Sequence, residues 1–332
     1  MVASWILVET LGGGPPRVIA IGRHVRPLRP LENELRGAHR EAIIDAVAGA
    51  YQSKEPYRAK ARSKGVQVIA EPFLSPLGMV NAVQVWAGPE SSAPPERLPT
   101  GAWVWDVDRG TCLASADVHS VYRIPPEKAL TEISRVQSMF GVTTAARHQE
   151  VALARVMAGQ VGTQVHEVWK IWRYDDVLRD FHFAARLSVD DDGKRWLHGV
   201  TQDITEGSSA IADPLTFADS LMEAEMASQA GAHAALVDLR TLTAIRWLSA
   251  PMPTVQCEMT GHPERDPAIH PEDVAKAKAL AEAVRTAPAE GHIRVRSSDG
   301  GWIRINIVAS LVILDETVTP TAALVKVRAD SS

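Results

Sequence analysis

Apolar and polar positions along this chain fall into three successive stretches that repeat one order of elements. The first opens with apolar strands at Trp5–Leu11 and Val18–Ile21. A helix is predicted from about Glu32 to Tyr51, because Leu35, Ala38, Ile43, Ala46 and Val47 recur at helical spacing. Strands follow at YRAKARS, VQVIAEPFL and MVNAVQVWAG, with SPLG turning the last hairpin. The segment PESSAPPERLP, residues 89–99, has the proline and serine content of an interdomain linker.

The second stretch begins with strands GAWVWDVDRG and CLASAD around an Asp-Arg-Gly turn. VYRIPPEKALTEISRVQ and AARHQEVALARVMAG read as helices, and QVHEVWKIWRY, VLRDFHFAARLSV and KRWLHGVTQDIT as closing strands. The third starts with an extra helix from Asp213 to about Gln229, capped by Asp213 with Pro214 in its first turn. Strands AALVDL and TAIRWLS, the helix PEDVAKAKALAEAVRT and strands GHIRVRS, WIRINIVASLVI and TAALVKVR complete it. Two opening and three closing strands can share one antiparallel sheet with helices on a single face. The expectation is therefore an α+β chain of three units, each a five-stranded antiparallel sheet enclosing a small interior beneath its helices. Domain limits are expected at 1–90, 98–207 and 211–329, the last with the connecting helix at its start.

Composition narrows the function classes. An apolar fraction of 45% with 23% charged residues is that of a globular chain rather than a disordered one. No apolar run approaches the roughly 18 residues of a membrane span. MVASWILVETLGGG lacks a basic segment before its apolar run, so it reads as a strand rather than a signal peptide. Cys112 and Cys257 stand far apart without CxxC spacing, which argues for a reducing compartment and a cytoplasmic protein. Net charge is −5, yet residues 1–65 carry eleven Lys and Arg against six Asp and Glu. An acidic partner or a membrane surface could use that basic face; a solvated face is the plainer reading.

The middle stretch resembles a PAS domain ending in a PAC motif. GAWVWDVDRGTCLASADVHSVYRIPPE matches the family's opening, and DDGKRWLHGVTQDITE its closing, with the Asp203-Ile204-Thr205 end. AIHPEDVAKAKALAEAV and VRSSDGGWIRI make the third stretch PAS-like, and VIAEPFLSPLGMVNAVQVWAG makes the first GAF-like or PAS-like. The whole resembles actinobacterial triple sensor-domain proteins of the GAF–PAS–PAS kind. That resemblance implies three PAS/GAF-like units that bind a small ligand or a partner protein and carry no chemistry of their own. The third pattern runs to the C-terminus, so output is expected to pass through another protein.

Candidate chemistry is sparse. LGGGPP lacks both Walker and GxGxxG spacing, and its prolines remove amide donors, so a turn is expected rather than a phosphate loop. His166, His182 and His198 recur 16 apart on the closing strands. With hairpins turning near 175–176 and 191–192, Ala185 would face His166 and His198, leaving His182 on the other face and no metal site. His148 and His270 are the positional candidates for a haem ligand of the PAS type; His270, before Pro271, reads better as a helix cap or a solvated residue. Neither Cys112 nor Cys257 has the Asn-Cys-Arg setting of a flavin photoreceptor, and each reads as a small core residue. No catalytic constellation stands out, so an enzyme, a cofactor and nucleic-acid recognition are not expected. The nine tryptophans are the better clue, since rings on a sheet line a cavity or cover a docking face. Trp103, Trp105, Trp169 and Trp302 are the ligand-binding candidates, and Asp203, Ile204 and Thr205 the signal-coupling ones. The competing reading is a ligand-free interaction scaffold working through its sheet faces. Both readings anticipate an unidentified protein partner, and a homodimer is compatible with either.

Overall fold

A computed structural model resolves this pattern into three antiparallel sheets. The structure describes residues 4–37, 39–60, 65–125, 133–135, 152, 155–156, 161–206, 231–257, 263–312 and 321–330. The connecting helix Asp213–Gln229, His148 and most of the helical stretch of the second unit lie outside the described residues.

The first sheet comprises β1 (Ile6–Glu9), β2 (Arg17–Ile21), β3 (His24–Pro30), β4 (Tyr57–Lys60), β5 (Val66–Leu74) and β6 (Val80–Pro89), in the order β3-β2-β1-β6-β5-β4. The second comprises β7 (Thr100–Asp106), β8 (Thr111–Ala114), β9 (Ile133–Arg135), β10 (Gln164–Trp172), β11 (Leu178–Val189) and β12 (Arg195–Asp203), in the order β10-β11-β12-β7-β8-β9. The third comprises β13 (Ala232–Asp238), β14 (Thr243–Trp247), β15 (Ala289–Arg296), β16 (Trp302–Val312) and β17 (Ala322–Ala329), in the order β14-β13-β17-β16-β15. In all three the opening strand lies inside the sheet, between its hairpin partner and the last closing strand. Each unit is thus closed by pairing its beginning with its end, as the expected α+β architecture requires.

Two sheets have six strands rather than the expected five. The additional strands, β3 and β9, both sit at edges. In β3, Pro27 and Pro30 cannot donate to a ladder and Arg26 and Arg29 discourage further pairing, a composition that hides a strand from periodicity and confines it to an edge. Ile133–Arg135 falls in a segment that reads as helix, but forms β9. The long helix expected from Glu32 to Tyr51 is instead divided into α1 (Leu31–Glu34) and α2 (Arg40–Ser53), and a short helix, α3 (Ala116–Tyr122), follows β8 in the second unit. The helical path stops at Leu35, which is extended (ψ 136). α2 buries Ile43, Ala46, Val47 and Ala50 against Val8, Val68, Val83 and Val85, filling the space between helix and sheet in the first unit.

Residues 1–105, 113–132 and 161–212 form one compact unit, and residues 106–112, 133–160 and 213–332 another. Within the former, the helix-free face of the first sheet packs on the second sheet. Leu7, Ile19, Phe73 and Ala82 meet Ala102, Ala184 and Val200 there. Polar side chains cross the same layer. Asn81 Nδ2 donates to the carbonyls of Trp103 (2.9 Å) and Gly199 (2.8 Å), and Gln84 Nε2 to Thr100 Oγ1 (2.9 Å). Arg186 Nη2 donates to Glu9 Oε1 at 3.0 Å, and the same carboxylate accepts the Leu11 amide at 2.7 Å. Burial pushes the Glu9 carboxyl up from its ordinary pKa, with the Leu11 amide and the Arg186 and Arg17 charges pulling the other way. The glycine run serves this pair: Gly12 has φ +74, and a Cβ there would lie 2.5 Å from Arg186 Cδ. The glycines thus make a turn over which an arginine stem lies.

The hairpin registers differ by one residue from those expected. His166 pairs with Ala184, His182 with Val168 and Gln202, and His198 with Arg186. Because side chains alternate, a one-residue slip changes the face. All three histidines therefore share the face of Ala184, and His182 is not opposite the others. The His166 and His182 rings meet edge-on at 4.8 Å. His182 is 1% exposed, and neither of its ring nitrogens has a hydrogen-bond partner among the described residues. Burial, reinforced by the His166 charge, pulls its pKa from 6.5 to about 3, and burial lowers His166 and His198 as well.

Two outcomes follow. Arg186→Met leaves the Glu9 carboxylate buried without its partner and should cost about 3 kcal/mol. Glu9→Gln, which keeps an acceptor for Leu11, should cost about 1 kcal/mol or less; urea unfolding midpoints at constant slope check the order. For the histidines, folded pKa values lie below the unfolded one, so the unfolded chain binds more protons as pH falls below about 6.5. Their contribution is complete above that pH and is lost on acidification. Glu9 acts in the opposite sense, so the comparison is with His182→Leu. That variant should show a stability–pH slope flatter than the parent's by up to about 1.4 kcal/mol per pH unit between about pH 6 and 4.

Candidate functional site

The space between helix and sheet in the third unit is not filled as it is in the first. A 3-10 turn, Pro271–Asp273, leads into α4 (Val274–Ala283). His270 caps it: its Nδ1 accepts the Glu272 amide at 3.3 Å, the role expected from its place before Pro271. Asp273 then ties the helix start to β15, accepting from Arg294 Nε at 2.9 Å and from the Arg294 amide at 2.7 Å. Those hydrogen bonds hold the Asp273 carboxyl well below the usual carboxylate range. Anchored there, α4 turns Ala277 and Ala281, one helical turn apart, toward the sheet.

Below them lie Ile293, Ile305, Ile307, Val325 and Val327 on β15, β16 and β17. Ala277 and Ala281 share one apolar cluster with Ile293, Ile305, Val325 and Val327, and a cavity of about 440 Å³ remains beside them. Its volume and apolar wall are those of a small-molecule site. At another side the wall is the β13–β14 turn. Asp238 holds Arg240 through paired contacts of 3.2 and 3.0 Å, and the Leu242 amide donates to the Asp238 carbonyl at 2.7 Å. Leu242 adopts φ +57, a left-handed conformation that a leucine seldom takes, and its side chain lines the cavity. Trp247 and Cys257 also line it. Cys257 is therefore a wall residue rather than a core one. Cys112 is buried as expected, and burial pushes its thiol up to about 12. Among the described residues, the charged ones that line the cavity are Arg240, Lys278 and Arg296.

The tryptophans singled out in the sequence lie elsewhere. Trp103 and Trp105 are buried in the second sheet, and the Trp103 ring covers Gly199, where a Cβ would come within 2.2 Å of it. Trp169 packs on Phe183 (ring centroids 5.0 Å), while Trp172, on the opposite face, is 44% exposed. Trp302 lies on the outer face of the third sheet, between the His270 ring (4.7 Å) and the Arg296 guanidinium (4.4 Å). None of the four lines the cavity, whereas Trp247 does. The signal that could have located the cavity is the pair of alanines spaced four apart in KAKALAEAV, on a helix face where the first unit has Ile43 and Val47.

Asp203, Ile204 and Thr205 form a fastening at the end of β12. Asp203, 2% exposed, accepts from Arg179 Nε at 3.0 Å and has Arg173 Nη1 at 3.9 Å. Its other oxygen accepts the Thr205 amide at 3.0 Å. Thr205 Oγ1 accepts the Asp180 amide at 2.7 Å, and the Ile204 amide donates to the Asp180 carbonyl at 2.9 Å. Arg23, in the β2–β3 turn, donates to the Thr205 carbonyl, so the strand end is tied to the first sheet as well.

Two family models match this chain. Rv3651-like, N-terminal, covers residues 4–96, and Rv3651-like, C-terminal domain, covers residues 217–332. The chain carries both Rv3651-like domains. The cavity lies wholly within the Rv3651-like C-terminal domain. Over its full length the chain is similar to a crystal structure of an uncharacterized protein from Mycobacterium tuberculosis, with a TM-score of 0.84 and 22% identity over 99% of this chain and 97% of that one. That likeness shows the fold of the Rv3651-like chain alone. A sensory box histidine kinase/response regulator from Burkholderia thailandensis aligns at a TM-score of 0.27 and 11% identity over 40% of this chain and 88% of that one. An RNA-binding light-oxygen-voltage receptor aligns at 0.27 and 10% over 69% and 95%. Scores of that size are too low to bear on fold or function. No curated protein matches the chain in sequence. Among the described residues, no helix is long and apolar enough to cross a membrane, and no group of three or more His, Cys, Asp or Glu is placed to hold a metal ion.

The fastening at Asp203 has a measurable consequence. Asp203→Ala removes the buried carboxylate that accepts from Arg179 and should cost about 3 kcal/mol. Thr205→Val removes the acceptor of the Asp180 amide and should cost about 1–2 kcal/mol. Guanidinium unfolding of the two variants beside the parent checks both values.

Proposed function

We propose that this chain is a non-enzymatic small-molecule receptor of cytoplasmic signalling, with its ligand held between α4 and the third sheet. The observation that carries the reading is the cavity of about 440 Å³ lined by Ile, Val, Leu and Ala side chains from the helix, the sheet and the β13–β14 turn. A ligand there touches both α4 and the sheet. A difference of a few kcal/mol in its affinity for two packings of that helix is enough to switch their populations. A partner protein would read the change. Free cysteines, buried Cys112 and half-buried Cys257, fit a reducing compartment. No catalysis is assigned: among the described residues the polar groups lining the cavity include three cations, hydroxyls, an amide and a thiol, without a carboxylate or imidazole poised for proton transfer.

A second reading, a scaffold that docks through a sheet face, is favoured by one feature. Trp302 and Val308 are 38% and 46% exposed on the outer face of the third sheet. Partner capture that survives filling of the cavity and fails in Trp302→Ala would support it.

The receptor reading is tested by cavity filling. Nile red, a neutral apolar dye, should brighten on mixing with the parent protein. Ala281→Phe, which places a ring into the cavity at a cost of about 1–3 kcal/mol of stability, should remove most of that brightening with the far-ultraviolet circular dichroism unchanged. Uptake that is equal in the parent and in Ala281→Phe overturns the proposal, as does an absence of uptake by the parent.

A further inference from the structure

The layer between the first two sheets holds polar side chains that its cross-sheet contacts do not satisfy. His182 shares the face of Ala184, which packs on the first sheet. It pairs with Gln202 of β12, and both side chains are buried. Gln84 enters the layer from the first sheet, also buried. Among the described residues, both ring nitrogens of His182, Nε2 of His166 and the side-chain carbonyls of Gln84 and Gln202 have no hydrogen-bond partner. His166 reaches the Ile19 backbone, and its ring meets His182 at 4.8 Å. Two imidazoles this close, away from water, are tolerated only while uncharged.

The charged groups around the pair are already matched to one another. On the second sheet, Lys170 donates to Asp180 at 3.1 Å, Arg186 holds Glu9, and His198 stands opposite Arg186. From the first sheet, Arg17 donates to Gln164 Oε1 at 3.3 Å, Arg23 to the Thr205 carbonyl, and Glu71 has Arg97 at 3.8 Å. β3 adds Leu28 to the layer, while its charged residues are exposed. A proton on the pair therefore arrives beside carboxylates that each hold a cation. The layer is also a weak seam. Four of its eight buried apolar residues are alanines, Ala20, Ala82, Ala102 and Ala184, and apolar adhesion scales with the area buried. Each sheet keeps its own core on its other face, against α2 in the first unit and through the Tyr122–Phe181 and Trp169–Phe183 contacts (4.7 and 5.0 Å) in the second. The chain passes from one sheet to the other once, through residues 90–99.

We infer that this layer is a proton-operated joint: proton uptake by His182 and His166 parts the first sheet from the second while each keeps its own fold. The inference is independent of the receptor reading. Burial holds the His182 pKa at about 3, against about 6.5 for a solvated imidazole. The closed layer therefore has its full advantage above about pH 6.5 and loses it on acidification. For His182 alone the loss between pH 7 and pH 5 is about 25-fold in the closing equilibrium. His166 and His198 add to it, and Glu9 works against it.

The test is thiol labelling of the full chain by 4,4′-dithiodipyridine. Ala82→Cys and Ala102→Cys, at positions with 0% exposure, place reporters on either side of the layer. Native Cys112, buried on β8 and outside the layer's apolar cluster, reports the second unit's own fold. Rates are taken relative to glutathione at the same pH, and peptide mass spectrometry assigns the label. From pH 7 to pH 5, protection of both reporters should fall at least about tenfold, with Cys112 protected throughout. Adding His182→Leu or His182→Gln should make that fall at least about fivefold smaller, and protection at pH 7 reports that the layer is intact in these variants. Reporter protection that is constant between the two pH values overturns the joint. An equal fall with and without His182 overturns its assignment to that residue. Loss of protection at Cys112 in step with the reporters means whole-unit unfolding and overturns the joint as well.

Discussion

The first two sheets bury their faces against each other, and much of the described structure answers to that burial. Leu7, Ile19 and Phe73 on one side and Ala102, Ala184 and Val200 on the other exclude water from the layer. A polar group that enters it is costly without a partner, and the His182 ring has none among the described residues. Asn81 finds two backbone carbonyls, Gln84 finds Thr100, and Glu9 finds Arg186 and the Leu11 amide. These contacts act only at one relative placement of the strands, so they fix register as well as adding attraction. Gly12 is shaped to the Arg186 stem, and Arg23 reaches the Thr205 carbonyl at the end of β12. The Asp-Ile-Thr closing segment is held between β11 and the first sheet, a structural joint before any role in signalling is considered.

The third sheet has the same internal arrangement of opening and closing strands but treats its helix-facing side differently. In the first unit α2 sends Ile43 and Val47 into the sheet, and the interior is filled. In the third, α4 sends Ala277 and Ala281 over a floor of isoleucine and valine, and a cavity is left. Dense packing is the ordinary condition of a protein interior, and an unfilled apolar volume costs dispersion contacts along its whole lining. An anchored helix end, with Arg294 clamped to Asp273, and a turn closed by Asp238 and Arg240 keep the walls apart. One strand order therefore produces a filled interior in one place and a cavity in another.

Much of this was legible from residue order. Apolar periodicity located the strands of all three sheets except β3 and β9, and the antiparallel α+β class followed from two opening and three closing strands. The prolines and arginines of β3 concealed it, since they remove the alternation by which a strand is recognised. The division between α1 and α2 was hidden because Leu35, Ile43 and Val47 keep helical spacing across a backbone break. The histidines show the sharpest limit. A register displaced by one residue moved His182 from one face to the other, and no property of the individual residues distinguishes the two registers.

By itself, then, the sequence determined which segments become strands, that they pair antiparallel, and that His270 would cap a helix, because those outcomes depend on neighbours within a few positions. The tertiary structure decided which faces meet, that Glu9 and Arg186 form a buried pair 177 positions apart, that Cys257 and Trp247 rather than Trp103 or Trp105 border the cavity, and that a cavity exists at all. Those outcomes depend on one-residue differences in register and on where the helices are placed. They are set by the sum of contacts across the whole layer, which no local pattern encodes.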